Sequence, residues 1–198
     1  MKIHHLTPKT ILAALAVMAI PAVAIAAPAV TGSTSARTAT VAAVSCPTGW
    51  GSLPEANSRM APGSVTNVRT GRHACFDRLV VDVRGRTAPG YDVRYVNNVY
   101  TDGAGFLVPL RGGAKLQIVV RAPAYDGVTG KPTYLPKNGK ELTNVAGYTT
   151  FRQVAAAGSF EGQTTVGLGV RARLPFRVYT LAGPGSNTRL VIDVAHHW

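Results

Sequence analysis

An arginine and an aspartate recur together, four residues apart, in two apolar runs of the chain. Arg78 and Asp82 belong to FDRLVVDV, and Arg189 and Asp193 belong to RLVIDV. Alternate residues of a strand share one face, so each arginine lies on the same side as its aspartate. The two charges of one run are about 13 Å apart, so each needs a partner elsewhere. Such carboxylates are suited to catalysis, to ligand binding or to pairing strands.

A catalytic role for these carboxylates lacks the partners that it requires. The sequence has no H-E-x-x-H, G-x-S-x-G or G-x-x-x-x-G-K-[ST] motif, the signatures of zinc proteases, serine hydrolases and P-loops. Glycosidases need two carboxyl groups about 5–10 Å apart, and no spacing singles out such a pair. His196 and His197 are neighbours that a strand points to opposite faces, so we expect a solvated chain end there. The sequence therefore predicts no enzyme, no catalytic residue, no metal site and no cofactor.

Two arrangements of the repeated runs remain open. In the first, the runs are antiparallel neighbours with Arg78 opposite Asp193 and Asp82 opposite Arg189, so that opposite charges meet twice. In the second, one copy lies in each of two sheets, and both charged faces turn outward toward a ligand. Exposed ion pairs contribute at most about 1 kcal/mol, so stability alone does not demand them. These four residues are thus predicted to form a ligand-binding or a strand-pairing face.

The elements that hold these residues are predicted to be strands. Leu79, Val81 and Val83 alternate with the charged positions, and KLQIVVR, TVGLGV and FRVYTL show the same period of two. Turns rich in Gly and Pro, such as RTAPG and AGPGSN, separate the runs. This pattern predicts an all-β fold: a single-domain, two-sheet β-sandwich of about seven or eight strands.

The start of the chain has the three-part form of a secretory signal peptide. Residues 1–26 combine a basic start, an apolar run at 11–20 and A-x-A cleavage sites. Residues 27–45 are rich in Ala, Thr and Ser and predict a flexible tether, and 46–198 is the predicted domain. No later segment approaches about 18 consecutive apolar residues, so no transmembrane segment is expected after cleavage. We expect a secreted or envelope-associated, extracytoplasmic protein.

The net charge of the chain indicates which classes of partner it can bind. After the predicted leader, 19 Lys and Arg side chains stand against 9 Asp and Glu, a balance of +10. Such a charge favours nucleic acid, anionic lipid or acidic wall polymers, or marks a merely basic, solvated surface. Export argues against nucleic acid as the partner.

Two cysteines, Cys46 and Cys75, are all that the chain contains. An even number in an exported chain predicts a disulfide, which would contribute roughly 3–4 kcal/mol in the chain-entropy model. The alternative is a lipid anchor, because AVSC around Cys46 loosely resembles a lipobox, although it lies far beyond the apolar run.

Residues 122–147 break the alternation of the strands. A connection this long is usually functional or mobile, and a disordered surface excursion is the open alternative. A short hairpin or helical turn fits around 140–145. Aromatic side chains in loops can stack on sugar rings, and lysines can bind anions. The candidate loop contacts are Trp50, Tyr125, Tyr134, Lys131, Lys137 and Lys140.

Three segments resemble the AMIN-like domain proteins of high-GC Gram-positive bacteria. They are GRHACFDRLVVDVRGRTAPGYDVRYV (71–96), GSFEGQTTVGLGV (158–170), and LPFRVYTL followed by TRLVIDV (174–194). The resemblance extends over roughly 46–198. The related AMIN family implies a β-sandwich that directs envelope proteins, including cell-wall amidases and pilus secretins, to the cell periphery through peptidoglycan. The residues that the resemblance singles out are Arg78, Asp82, Arg189, Asp193 and Phe160–Glu161–Gly162.

The sequence departs from that pattern because no amidase or secretin module accompanies the domain. The leading hypothesis is a non-catalytic, exported domain that binds cell-wall peptidoglycan or an anionic wall polymer. The alternatives are a module that binds another envelope protein and, less favoured, a cell-wall hydrolase.

Overall fold

Alternating apolar residues place strands along most of the chain. The computed structural model describes residue 46 and residues 49–198, and the predicted signal peptide (1–26) and tether (27–45) lie outside them. This part of the chain contains eleven strands and no helix. The strands are β1 (Glu55–Asn57), β2 (Val65–Arg72), β3 (Phe76–Arg84), β4 (Tyr91–Val96), β5 (Val99–Tyr100), β6 (Leu107–Val108), β7 (Ala114–Val120), β8 (Phe151–Phe160), β9 (Gln163–Val170), β10 (Phe176–Ala182) and β11 (Asn187–Ala195).

The all-β prediction is confirmed, but the predicted number of about seven or eight strands is wrong. Three of the eleven strands, β1, β5 and β6, are only two or three residues long. Runs this short cannot display a period of two, so alternation in the sequence does not reveal them.

The strands form two main antiparallel sheets around one core. One sheet has the order β1-β4-β7-β9-β8, the other has the order β10-β11-β3-β2, and β5 pairs with β6. Leu79 and Ile192 of the four-stranded sheet belong to the same buried cluster as Ile118 and Leu168 of the five-stranded sheet. The inward faces of both sheets therefore enclose a common apolar core, the arrangement that a two-sheet sandwich requires.

The two repeated runs are neighbours in the four-stranded sheet. Strands β3 and β11 pair antiparallel, with Arg78 opposite Asp193 and Asp82 opposite Arg189. The structure therefore has the first of the two arrangements left open above. Because Leu79 and its alternate neighbours face the core, the four residues of the two Arg–Asp pairs face outward.

A hairpin covers the outer face of the five-stranded sheet. Val99 of β5 and Val108 of β6 form a second buried cluster with Ala155 and Ala157 of β8. The chain that follows β6 also lies directly against β9. A β-carbon at Gly169 would lie 2.0 Å from the carbonyl oxygen of Arg111, so this close approach requires glycine.

The long connection at 122–147 is part of the fold. The backbone N–H of Leu142 donates to the carbonyl of Val154 at 2.8 Å, and the N–H of Ala156 donates to the carbonyl of Gly139 at 2.7 Å. These bonds cover the free edge of β8. Val145 belongs to the main core, and the described chain around 140–145 contains turns and bends rather than a helix. The connection thus protects the edge strand β8 from pairing with another chain.

The predicted disulfide between Cys46 and Cys75 is confirmed. With its sulfur in this bond, Cys46 has no thiol for the alternative lipid anchor. All eleven strands, both buried clusters and the disulfide lie between residues 46 and 198, and the described residues belong to one compact unit. We therefore expect this unit to fold by itself. None of the described residues belongs to a helix long and apolar enough to cross a membrane.

Candidate functional site: an arginine-rich sheet face

The outer side of the four-stranded sheet gathers charged and aromatic side chains from all four of its strands. Register places Arg177 of β10 beside Asp193 of β11, and Asp193 beside Arg78 of β3. Arg69 of β2 pairs with Val80 on the same side. We call this side the arginine face. It consists of Arg69, Arg78, Arg177, Arg189, Asp82 and Asp193, with Phe76, Tyr179 and Trp50.

Asp193 is the centre of the arginine face and is 0% exposed. Arg78 donates from Nε to Oδ1 at 2.7 Å and from Nη2 to Oδ2 at 2.9 Å. Arg177 donates from Nε and Nη2 to Oδ2 at 3.0 and 2.9 Å. The hydroxyl of Tyr179 accepts from Arg78 at 2.6 Å and lies 3.3 Å from Oδ2 of Asp193. The carboxylate is therefore fully satisfied by charge-assisted bonds, which are the strongest kind.

Aromatic rings lie next to both guanidinium groups. The guanidinium carbon of Arg177 lies 4.3 Å from the ring centre of Trp50 and 5.1 Å from that of Tyr179. The corresponding distance from Arg78 to Phe76 is 5.1 Å. These distances are in the range of cation–π interactions, in which a positive group is attracted to the face of an aromatic ring. The rings therefore hold the two arginines in fixed positions.

Asp82 and Arg189 do not repeat the first pair. Although they are opposite in register, Asp82 accepts from Arg69, at 2.8 Å from Nε and 3.0 Å from Nη2. Arg189 instead donates from Nη2 to the carbonyl of Ala182 at 2.6 Å. The expectation that opposite charges meet twice between these strands is thus wrong for the second pair. The two side chains do not pair because β2, the neighbour of β3 on the edge away from β11, brings Arg69 to Asp82.

Hydrogen bonds to the two aspartates stabilise the charged forms of Arg78 and Arg69. The hydrogen bond to Asp193 raises the pKa of Arg78 against the opposing effect of burial. The hydrogen bond to Asp82 likewise raises the pKa of Arg69. Burial, followed by the charge of Asp193, raises the pKa of the Tyr179 phenol, so it stays protonated at neutral pH. Four guanidinium groups against two carboxylates leave an excess of positive charge, which suits an anionic ligand.

Asp77 is a structural residue that the sequence reasoning missed. It is 0% exposed and points to the core side of β3. Its Oδ2 accepts from the backbone N–H groups of Thr150 at 2.6 Å and Phe151 at 3.0 Å. Nε2 of His196 lies 3.2 Å from the other oxygen. Asp77 therefore fastens the start of β8 and the C-terminal end to β3, and the expected solvated end is wrong for His196.

The candidate loop contacts do not form one site. Trp50 lies on the arginine face, whereas the hydroxyl of Tyr125 accepts from Gly162 N at 3.1 Å, at the turn after β8. Tyr134 packs against the main core, and burial raises its pKa. Lys137 and Lys140 line a groove beside β6. Lys131 is exposed elsewhere on the same connection.

The Phe160–Glu161–Gly162 segment forms the turn between β8 and β9. Glu161 has a φ of 47° and Gly162 a φ of 78°, as the two central residues of the favoured two-residue hairpin turn require. The geometry gives this segment a turn-forming role. Among the described residues, no group of three or more His, Cys, Asp and Glu is arranged to hold a metal ion.

Comparison with known families gives one match. The family model for the AMIN-like domain matches residues 63–196, more than half of the chain. Searches of curated proteins and of solved structures find no match. The matched range includes both copies of the Arg–Asp run, while Cys46 and Trp50 precede it.

Proposed function

The chain belongs to the AMIN-like domain family, and on this premise we propose that it is an exported, non-catalytic domain that binds peptidoglycan or an anionic polymer of the cell wall. The family is related to peptidoglycan and the cell envelope and is generally non-catalytic. The predicted signal peptide (1–26) supports export, and the likeness to proteins of high-GC Gram-positive bacteria supports a cell wall as the destination.

The excess of arginine on one face of the sheet is the observation that carries this proposal. Guanidinium groups form bidentate hydrogen bonds to carboxylates and phosphates, the charged groups that wall polymers carry. Arg69 is exposed and Arg177 is half-buried, so both can reach a ligand. The half-buried ring of Trp50 beside Arg177 offers a surface on which a sugar ring can stack.

Fixed side chains favour binding on this face. Arg177 is held by Asp193 on one side and by Trp50 on the other. A side chain that is already ordered loses little conformational entropy when a ligand binds, which improves affinity. The outward groups of the arginine face are therefore preorganised.

Cosedimentation with purified sacculi tests the proposal. We expect a fragment that starts at Ala42 to pellet with sacculi at low salt. Arg69→Gln with Arg177→Gln should lower the bound fraction about tenfold, because two charge-assisted contacts are lost. Arg78 keeps Asp193 satisfied in that variant.

The matched control is Arg59→Gln with Arg86→Gln. Both arginines are exposed, and neither belongs to the arginine face, so the net charge falls equally. Recovery of the wild-type fragment in the supernatant at low salt refutes the proposal. If the control variant loses as much binding as the test variant, diffuse charge rather than the arginine face holds the domain.

A further inference from the structure

Exposed apolar side chains gather on the β5–β6 hairpin. Tyr100 and Leu107 are cross-strand partners and are 49% and 56% exposed, and the adjacent Phe106 is 71% exposed. The ring of Phe160 is also exposed and lies 3.7 Å from where a β-carbon of Gly103 would stand. We call Tyr100, Phe106, Leu107 and Phe160 the hairpin surface. Contiguous exposed apolar side chains of this kind mark interaction sites.

Unpaired lysines border the hairpin surface. A groove of about 420 Å³ runs between Leu107 and the connection that carries Lys137 and Lys140. Val108, Pro109 and Ala155 supply its apolar lining. All ion pairs among the described residues use arginine or histidine, so neither ammonium group is neutralised by a carboxylate in this part of the chain.

Apolar and aromatic side chains beside free lysines are the combination that binds the interface of an anionic bilayer. We propose that the hairpin surface docks on an anionic lipid membrane. Phe106 and Leu107 enter the headgroup region, and Lys137 and Lys140 bind lipid phosphates. Each lysine near an anionic surface contributes measurably to such binding.

Charge argues for lipid over a second copy of this chain. Two copies would bring lysine-bordered surfaces of the same sign together, and like charges repel. Four apolar side chains also fall short of the 20–30 residues per side typical of a stable protein interface. Lipid phosphates, by contrast, complement the lysines and need no large contact area.

This membrane contact goes beyond the proposed wall binding and uses the other side of the molecule. The hairpin covers the outer face of the five-stranded sheet, and the arginine face is the outer side of the four-stranded sheet. The common core lies between the two. One domain can therefore contact lipid and wall polymer at the same time.

Vesicle sedimentation tests the proposal with the fragment that starts at Ala42, because this fragment lacks the apolar run at 11–20. We expect partitioning into phosphatidylglycerol-containing vesicles at least tenfold above that into pure phosphatidylcholine. Phe106→Ser with Leu107→Ser should lower it about tenfold, through lost apolar burial. Lys137→Gln with Lys140→Gln should lower it about tenfold as well.

Two controls match these variants. Val128→Ser with Leu53→Ser removes two exposed apolar side chains, and Lys131→Gln with Arg86→Gln removes two exposed cationic ones, all outside the hairpin surface. Unchanged thermal unfolding checks that every variant is folded.

Equal partitioning of the test and control variants overturns the proposal, and so does equal binding to neutral and anionic vesicles. A concentration-dependent dimer that Phe106→Ser with Leu107→Ser abolishes, without vesicle binding, assigns the surface to a second copy instead. Vesicles contain no peptidoglycan and extracted sacculi contain no lipid, so failure here and failure of wall binding are separate results.

Discussion

The outer faces of the two main sheets are covered in different ways. On the four-stranded sheet, side chains of the arginine face cover one another, and Arg78 and Arg177 bury the carboxylate of Asp193. On the five-stranded sheet, a hairpin supplies the cover through Val99 and Val108. Paired charges produce a fixed polar surface on the four-stranded sheet. The hairpin instead buries the sheet beneath it and exposes apolar side chains of its own to solvent. The two faces are therefore suited to different partners.

The same contrast appears within the arginine face. Asp193 and Asp82 occupy equivalent positions of one repeated motif, yet their side chains are 0% and 21% exposed. Two arginines and a tyrosine bind the first, while Arg69 and Asn67 bind the second. The same motif thus gives a buried aspartate with two ion pairs and a partly exposed aspartate with one.

Removing each aspartate gives the largest test of this difference. Asp193→Ala should lower the free energy of unfolding by about 3–5 kcal/mol, because it leaves two guanidinium groups without their buried partner. Asp82→Ala should lower it by at most about 1 kcal/mol, as for exposed pairs. Denaturant unfolding of both variants measures the values. Equal losses would show that burial does not separate the two copies.

The disulfide is expected to support ligand binding on the arginine face but not on the hairpin surface. It ties the segment that carries Trp50 to Cys75, the residue directly before β3. Replacing both cysteines by serine should lower the free energy of unfolding by roughly 3–4 kcal/mol. Below the unfolding temperature, sacculus binding should weaken because Trp50 is less firmly held, while vesicle binding should stay unchanged. An equal loss of both activities would mean that the disulfide acts only through global stability.

Alternation predicted the fold class because long strands at the core display it directly. In β3 and β11, inward Leu79 and Ile192 and outward Arg78 and Asp193 follow from a period of two. The register between the runs also followed from charge, given that they are neighbours. Which strands are neighbours depends on the topology of the sheet, and alternation within one strand does not reveal it.

The rest depended on contacts between segments distant in sequence. Asp77 lies on the inward face of β3, and its partners come from the start of β8 and the C-terminal end. Arg69 binds Asp82 only because β2 completes the sheet. The hairpin surface was missed since two-residue strands carry no periodic signal. The local sequence pattern indicates on which face of a strand a side chain lies. Its bonding partners become known only from the tertiary structure.

The smallest expected effect concerns Asp102, which lies beneath the hairpin. Its backbone N–H donates to the carbonyl of Ala157, and Oδ1 accepts from Thr165 at 2.9 Å. Oδ2 is buried with no hydrogen-bond partner among the described residues. Burial raises the pKa of this carboxyl, against the lowering effect of Thr165. The ionised form therefore weakens the attachment of the hairpin at neutral pH.

The sign of the pH dependence follows from this shift. A carboxyl with a raised pKa in the folded state binds its proton more readily there than in the unfolded chain, so stability rises as pH falls through the folded value. Asp102→Asn should unfold at a higher temperature than wild type at pH 7, and the gap should narrow toward pH 4. Thermal unfolding between these pH values checks it. Parallel curves would mean that Asp102 is solvated and does not weaken the attachment of the hairpin at neutral pH.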